Sequence, residues 1–415
     1  MAPAVAGPRL GGVTHTTSPP TGIPADRPPT TVERAIGPWA FVGVALTAFG
    51  GPLALAALYA PNLIGDSAGS AGLELVAAAV IFLVPLGIWM RYARQINSSG
   101  GLFSFVETAV GRPVALVQAS LWIISYLLYV LYTTAQVVFD TLPAVLPGVR
   151  PYQPALEILI PVALAGIMLA GRRATLIVTA VIGFGQLALA AGLGGETIAH
   201  LGSPLSSFGI GAPTGTFAQA AAGTTLLYIC GSLPLFLGGE TPVRTVRRGI
   251  VAAYLATVVV VVAAVFPLAN DHILARADVP GVAAMQQFAG TGFARVIGMG
   301  VVVSICGVML VEYLALTRLI PVVTPLRRRT VTIAVGGIIV AIAPFSLINP
   351  DAFYDTLLKV SLVALWLSQL LVFAVYPRFI AKSGGRAAPA SILAIIACAL
   401  TVYGVWTVLH GAASS

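Results

Sequence analysis

From Pro38 onward the chain repeats one pattern: an apolar run of about 17–25 residues, then a short polar joint. A helix of that length crosses a hydrocarbon core of about 30 Å. Eleven such spans are predicted, over 38–64, 72–92, 114–141, 154–171, 174–194, 217–240, 249–269, 292–321, 330–348, 353–377 and 388–410. The short pair in the middle is divided only by Gly171-Arg172-Arg173. Residues 1–36 carry no apolar run and are rich in Pro, Thr and Gly, so they read as a disordered tail rather than a signal peptide.

Two spans carry breaks inside their apolar runs. The first has Gly50-Gly51-Pro52 and the sixth has Gly231-Ser232-Leu233-Pro234. Proline has no N–H for the helix ladder and pushes the preceding residue out of the α region, while glycine lets the backbone turn. Broken backbone at membrane depth is tolerated only where it is buried in protein or lines a cavity. Paired breaks in two halves of a membrane chain mark the binding site of a transporter. Spans 1–5 and 6–10 each begin with a broken helix, and five is odd, so the second half enters the membrane from the opposite side. The expected organisation is a core over 37–380, with repeats at 37–194 and 217–380, and an added helix in 381–415.

Composition fits this picture. The 415 residues are 58% hydrophobic and 9% charged, where a soluble domain carries about a quarter charged residues. The net charge of +8 reads as topology, not nucleic-acid binding, because the basic residues are scattered between apolar runs. With the N-terminal tail in the cytoplasm, 18 of the 22 Lys and Arg residues fall inside, leaving Arg150, Arg276, Arg295 and Lys359 at or near the outer face. The expectation is a multi-pass protein of the cell membrane, with lipid around it, a cytoplasmic N-terminus and an extracytoplasmic C-terminus. Cys230, Cys306 and Cys398 fall inside spans as small buried hydrophobes, with no metal or disulfide spacing. The sequence offers no P-loop, no His-centred catalytic cluster and no cofactor motif, so no enzymatic activity is expected. It carries no signature of an oligomeric state.

Several local motifs resemble the amino acid–polyamine–organocation superfamily of permeases. The segment RYARQINSSGGLFSFVETAVGRP holds Ser98, Ser99, Gly100, Gly101, Phe103 and Phe105, then Gly111 and Pro113 at the entry to the third span. Gly231, with Gly239-Glu240 and the basic run from Arg244 to Arg248, resembles the end of that family's sixth helix, and Thr317-Arg318 the end of its eighth. The resemblance implies an all-α, LeuT-like 5+5 inverted-repeat fold. In it, spans 1, 2, 6 and 7 rock against spans 3, 4, 8 and 9, with a small-molecule substrate held between the two breaks. The chain departs from the family at Pro52, at Leu233 where many members are acidic, and at Gln186 where some carry a lysine.

These readings give the candidate site. Ala48, Phe49, Gly50, Gly51, Tyr126, Tyr228, Cys230, Gly231 and Ser232 are the expected substrate contacts, with Phe49 and Tyr228 as aromatic gates beside the breaks. Tyr126, Tyr129 and Tyr132 recur on one helix face of span 3, as cavity lining or as packing. Glu312, at membrane depth in span 8, is the leading candidate for coupling transport to a proton or sodium gradient; its alternative is an ion pair with Arg318. Gln186 is the second coupling candidate, or else a hydrogen-bonding link between helices. Glu240 and Glu107 read as ion-pair residues near the cytoplasmic face, and Lys359 as a side chain reaching the outer face. The expected activity is secondary transport of an amino acid, an amine or a related small solute, with a receptor or accessory subunit on the same fold as the alternative.

Overall fold

A computed structural model describes residues 36–64 and 69–410. The predicted tail therefore lies outside the described residues, apart from Ile36. All eleven expected spans are present as helices long and apolar enough to cross a membrane: Pro38–Ile64, Ala71–Gln95, Arg112–Val145, Pro147–Leu169, Arg172–Leu201, Thr214–Glu240, Val243–Asn270, Gly290–Val323, Arg328–Leu347, Pro350–Lys382 and Ala387–His410. They are numbered spans 1 to 11. The described residues form an all-α membrane architecture with discontinuous spans 1 and 6.

Span 1 packs on spans 5 and 7, and span 2 on spans 6 and 7. Span 4 packs on span 9, span 8 on spans 3 and 5, and span 10 on spans 3 and 11. The outward sides of these helices carry exposed apolar side chains, among them Val181, Val259 and Ile395, as contact with lipid tails requires. Span 3 meets span 10 through polar pairs in an otherwise apolar interface. Gln118 Nε2 donates to Ser368 Oγ at 2.9 Å, and Ser361 Oγ donates to the Ser125 carbonyl at 2.8 Å.

The first break behaves as the sequence predicts. Pro38–Ala48 is α-helical and stops at Phe49; Gly50 and Gly51 then take φ of 76° and 70°, a region that disfavours side chains. Pro52 restarts the helix at its first turn, where its missing N–H costs nothing. The second break differs from expectation. Thr214–Leu227 is α-helical, but Ile229–Glu240 tightens into a twelve-residue 3₁₀ run instead of unwinding. Runs beyond three or four residues are uncommon in that geometry and mark hinges or strain. Gly231 lies within this run without a positive φ. What demands glycine there is close approach: a Cβ would lie 2.1 Å from Phe49 Cε1.

Two features have no sequence signal. Leu55–Tyr59 in span 1 and Gln136–Thr141 in span 3 are π-helical turns. They are tied together, since Tyr59 Oη donates to Gln136 Oε1 at 3.1 Å.

The joint between spans 2 and 3 explains its glycines. Leu102–Val110 forms a short helix that buries Phe103 and Phe105. Gly101, at φ 51°, lets the chain pass the Phe236 ring, and Gly238 and Gly239 lie against the backbone of Ser98 and Ser99. The end of span 6 is thereby seated on the 97–101 segment, with Asn97 Nδ2 donating to the Thr241 carbonyl at 2.9 Å.

Candidate functional site

A cavity of about 300 Å³ lies where the two interrupted spans meet spans 3, 10 and 11. Gly50, Leu55 and Tyr59 line it from span 1, and Leu226, Leu227, Ile229 and Cys230 from span 6. Tyr129, Tyr132 and Gln136 come from span 3, Tyr354 and Trp366 from span 10, and Thr407 and Val408 from span 11. Its wall is mainly aliphatic and aromatic, with hydroxyl groups from four tyrosines. No lysine, arginine or histidine is among its described lining residues.

Of the predicted contacts, Gly50 and Cys230 line this cavity; Ala48, Phe49, Gly51, Tyr126, Tyr228, Gly231 and Ser232 do not. Phe49 and Tyr228 instead belong to a buried aromatic cluster with Phe82 and Tyr254 on spans 2 and 7. The edge of Phe49 fills the space above Gly231. Ala48 is buried at the end of the first helix. Tyr126 and Ser232 form a polar layer beneath the cavity. Tyr126 Oη donates to Cys230 Sγ at 3.9 Å, and Gln369 Nε2 donates to Ser232 Oγ at 3.4 Å. The tyrosine stripe thus splits by depth, with Tyr129 and Tyr132 on the cavity and Tyr126 below it.

Glu312 is fully buried, and neither carboxyl oxygen has a hydrogen-bond partner. It lies near Tyr59, Tyr129, Tyr132 and Cys230, all of which line the cavity. The alternative pairing with Arg318 is not made. Arg318 turns to Glu240, with Nη2 3.5 Å from Oε2.

Gln186 occupies the corner between the first break and span 8. Its Nε2 donates to Thr47 Oγ1 at 3.3 Å, and Ser304 Oγ donates to its Oε1. Ser304 Oγ in turn accepts from the Ala54 N–H at 3.3 Å. Gly51 is needed beneath this cluster, because a Cβ would come 2.2 Å from Ser304 Oγ.

The cavity is flanked at both ends. On one side lies a wider vestibule of about 800 Å³, with Asn62, Asp140, Arg150, Arg276 and Asp278 on its walls. Gln136 borders both spaces, and the Tyr59–Gln136 hydrogen bond stands at their partition. At the opposite, arginine-rich end, Glu240 closes span 6 onto three other elements. Its carboxylate lies 2.9 Å from Arg172 Nε, 2.8 Å from Arg328 Nη1 and 3.5 Å from Arg318 Nη2. Glu240 was legible as an ion-pair residue, but its three partners were not. Glu107, expected to form an ion pair with a nearby arginine, pairs with Arg112 at 3.3 Å.

No protein-family model and no curated sequence matches this chain. Among solved structures, it is similar to MhsT in complex with L-phenylalanine, at 12% identity and a TM-score of 0.63. The similarity covers 90% of this chain and 98% of that one. At that identity the likeness is one of fold, and the fold is that of LeuT-like transporters.

Proposed function

We propose that the chain is a secondary active transporter that moves a small organic solute, an amino acid or an amine, by alternating access. One observation supports this most: interrupted spans 1 and 6 converge on a cavity that lies between two different kinds of contact. Towards the vestibule stands one neutral hydrogen bond, and at the arginine-rich end of span 6 an ion-pair cluster. A solute site with two separate closures is what alternating access requires. The similar structure, MhsT, holds L-phenylalanine, which agrees with a small amphiphilic solute.

In this reading the protein belongs with the amino acid–polyamine–organocation permeases and lies in the cell membrane, with the arginine-rich end in the cytoplasm. The repeats run over 37–194 and 217–380. Gly50 and Cys230 touch the solute, and Tyr126 and Ser232 support the floor beneath it. Glu312 carries the coupling proton. An ionised carboxylate buried without a partner is costly, so its charge is tolerated only while a cation or proton accompanies it. Gln186 acts as an uncharged lock, because both ends of its amide are already engaged.

The test is uptake into proteoliposomes made with the purified full chain, screening labelled amino acids and amines under imposed proton and sodium gradients. Accumulation above protein-free vesicles that collapses with the gradient is the expected result. Absence of uptake for every solute under every gradient would refute the transporter reading.

A further inference from the structure

A cluster of positive charge away from the central cavity has no counter-charge. A cavity of about 290 Å³ opens at the arginine-rich end, between span 2 and the turn that joins spans 10 and 11. Arg91 and Arg94 line it from span 2 and Arg386 from the turn, with Ile380 and Pro389 beside them. The local fold brings the three arginines together. Ser383 Oγ donates to Gln95 Oε1 at 2.6 Å, which ties the turn to the end of span 2. Gly384, at φ 75°, lets the chain reverse there, and the Gly385 N–H returns to the Ile380 carbonyl at 2.9 Å. Arg91 Nη1 donates to the Tyr376 hydroxyl at 3.0 Å, which holds it against span 10.

Among the described residues, no carboxylate pairs with any of the three. Glu107 and Glu240, the acids at that end, pair with Arg112 and with Arg172, Arg318 and Arg328. Like charges around one small space repel, and a bound anion would offset that repulsion. Guanidinium groups match phosphate oxygens in a two-pronged geometry, so phosphate is the anion this cluster suits.

The surface running away from the cavity distinguishes a lipid phosphate from a free one. Val76, Val80, Leu83, Gly87, Arg91 and Arg94 recur every three or four residues, on one face of span 2. Val76, Val80 and Leu83 are exposed on that face. At Gly87 a Cβ would meet nothing within 4 Å, which leaves a dent in the stripe just before the arginines. On span 11, Ile392 and Ile396 follow Pro389 at the same spacing and are exposed too. Leu83 to Arg94 covers about 16 Å of helix, roughly one leaflet of a hydrocarbon core of about 30 Å. Basic pockets between spans at the membrane surface hold anionic head groups in this way.

We propose that this is a binding site for an anionic phospholipid, with its phosphate among Arg91, Arg94 and Arg386 and an acyl chain along the Gly87 stripe. Binding here does not depend on the transporter reading, since it uses no residue of the central cavity. The test follows thermal unfolding of the delipidated full chain in detergent, because a ligand of the native state raises the melting temperature. It is titrated with phosphatidylglycerol, with phosphatidylcholine of the same acyl chains, or with inorganic phosphate. Phosphatidylglycerol is expected to stabilise saturably, at concentrations at least about tenfold below either of the others.

Arg94→Gln with Arg386→Gln should weaken phosphatidylglycerol by at least about tenfold. Arg244→Gln with Arg248→Gln removes the same charge elsewhere at that end and should leave its affinity unchanged. Gly87→Phe fills the dent without touching the charge and should weaken the lipid by at least about fivefold. Should Gly87→Phe fail to fold, Gly87→Leu carries the same expectation. Equal affinity for the two lipids would overturn the proposal, as would unchanged affinity without Arg94 and Arg386, or an equal loss in the Arg244 and Arg248 control. Inorganic phosphate binding as tightly as phosphatidylglycerol, or lipid affinity unchanged by filling the dent, would reduce the site to one for a free anion and overturn the lipid.

Discussion

Residue by residue, the chain hides its chemistry in the few polar groups it buries. Glu312 was visible in the sequence as an acid at membrane depth, but not its isolation. Its nearest basic neighbour in sequence, Arg318, points to Glu240, a preference set by how the end of span 6 packs on span 8. If Glu312 is the proton carrier, Glu312→Gln should make accumulation insensitive to a pH gradient and lower it at least about tenfold in proteoliposomes. Full accumulation by the variant at every pH would remove that role. Gly51 gives a second expectation at this scale. It combines φ of 70° with a Ser304 hydroxyl 2.2 Å from where a Cβ would stand. Gly51→Ala should therefore destabilise by about 1–3 kcal/mol, read as a lower melting temperature in detergent. The glycines at the first break were legible as a turn; the Gln186–Ser304 contact that also demands Gly51 was not, because it joins residues 118 apart.

Among the elements, hydropathy located all eleven spans, and proline and glycine located both interruptions. What those interruptions became was not legible. The sixth span tightens into a 3₁₀ run because its backbone wraps against Phe49 and the 97–101 segment, contacts that local sequence does not reveal. The Phe49–Gly231 contact is a coupling between the two interrupted spans. Gly231→Ala should cost about 1–3 kcal/mol, and Phe49→Leu in the same chain should recover part of it. Strict additivity of the two substitutions in thermal melts would show that the rings and backbone there do not bear on each other. The π turns are the other element the sequence withheld, since apolar helices with and without them read alike. Tyr59→Phe and Gln136→Leu remove the same hydrogen bond, so their effects on transport rate should be non-additive, the second adding little to the first.

At the scale of the whole molecule, the two ends close by different physics. Glu240 is a single carboxylate among three guanidinium groups and is only 6% exposed. Glu240→Gln would leave those three cations repelling one another, so the arginine-rich end should open. Cys230 supplies a native reporter, being on the cavity wall. In a chain with Cys306 and Cys398 replaced by serine, Glu240→Gln should raise the rate at which a thiol reagent labels Cys230 from that end by about tenfold or more. An unchanged labelling rate would mean that the ion-pair cluster is not the barrier. The basic residues that supply it were visible in sequence as a bias towards one face; their convergence on one acid came from the fold bringing spans 5, 6, 8 and 9 to a common point.

The paired π turns also have a genetic meaning. A π turn holds one residue more than the α-helix around it, so losing a codon inside Leu55–Tyr59 or Gln136–Thr141 returns that turn to ordinary helix and keeps the flanks in phase. The same loss elsewhere in either span would rotate everything beyond it by about 100°. These two short stretches are therefore where a lineage could gain or lose single residues, and reset one closure of the cavity, without rebuilding the helices that carry it.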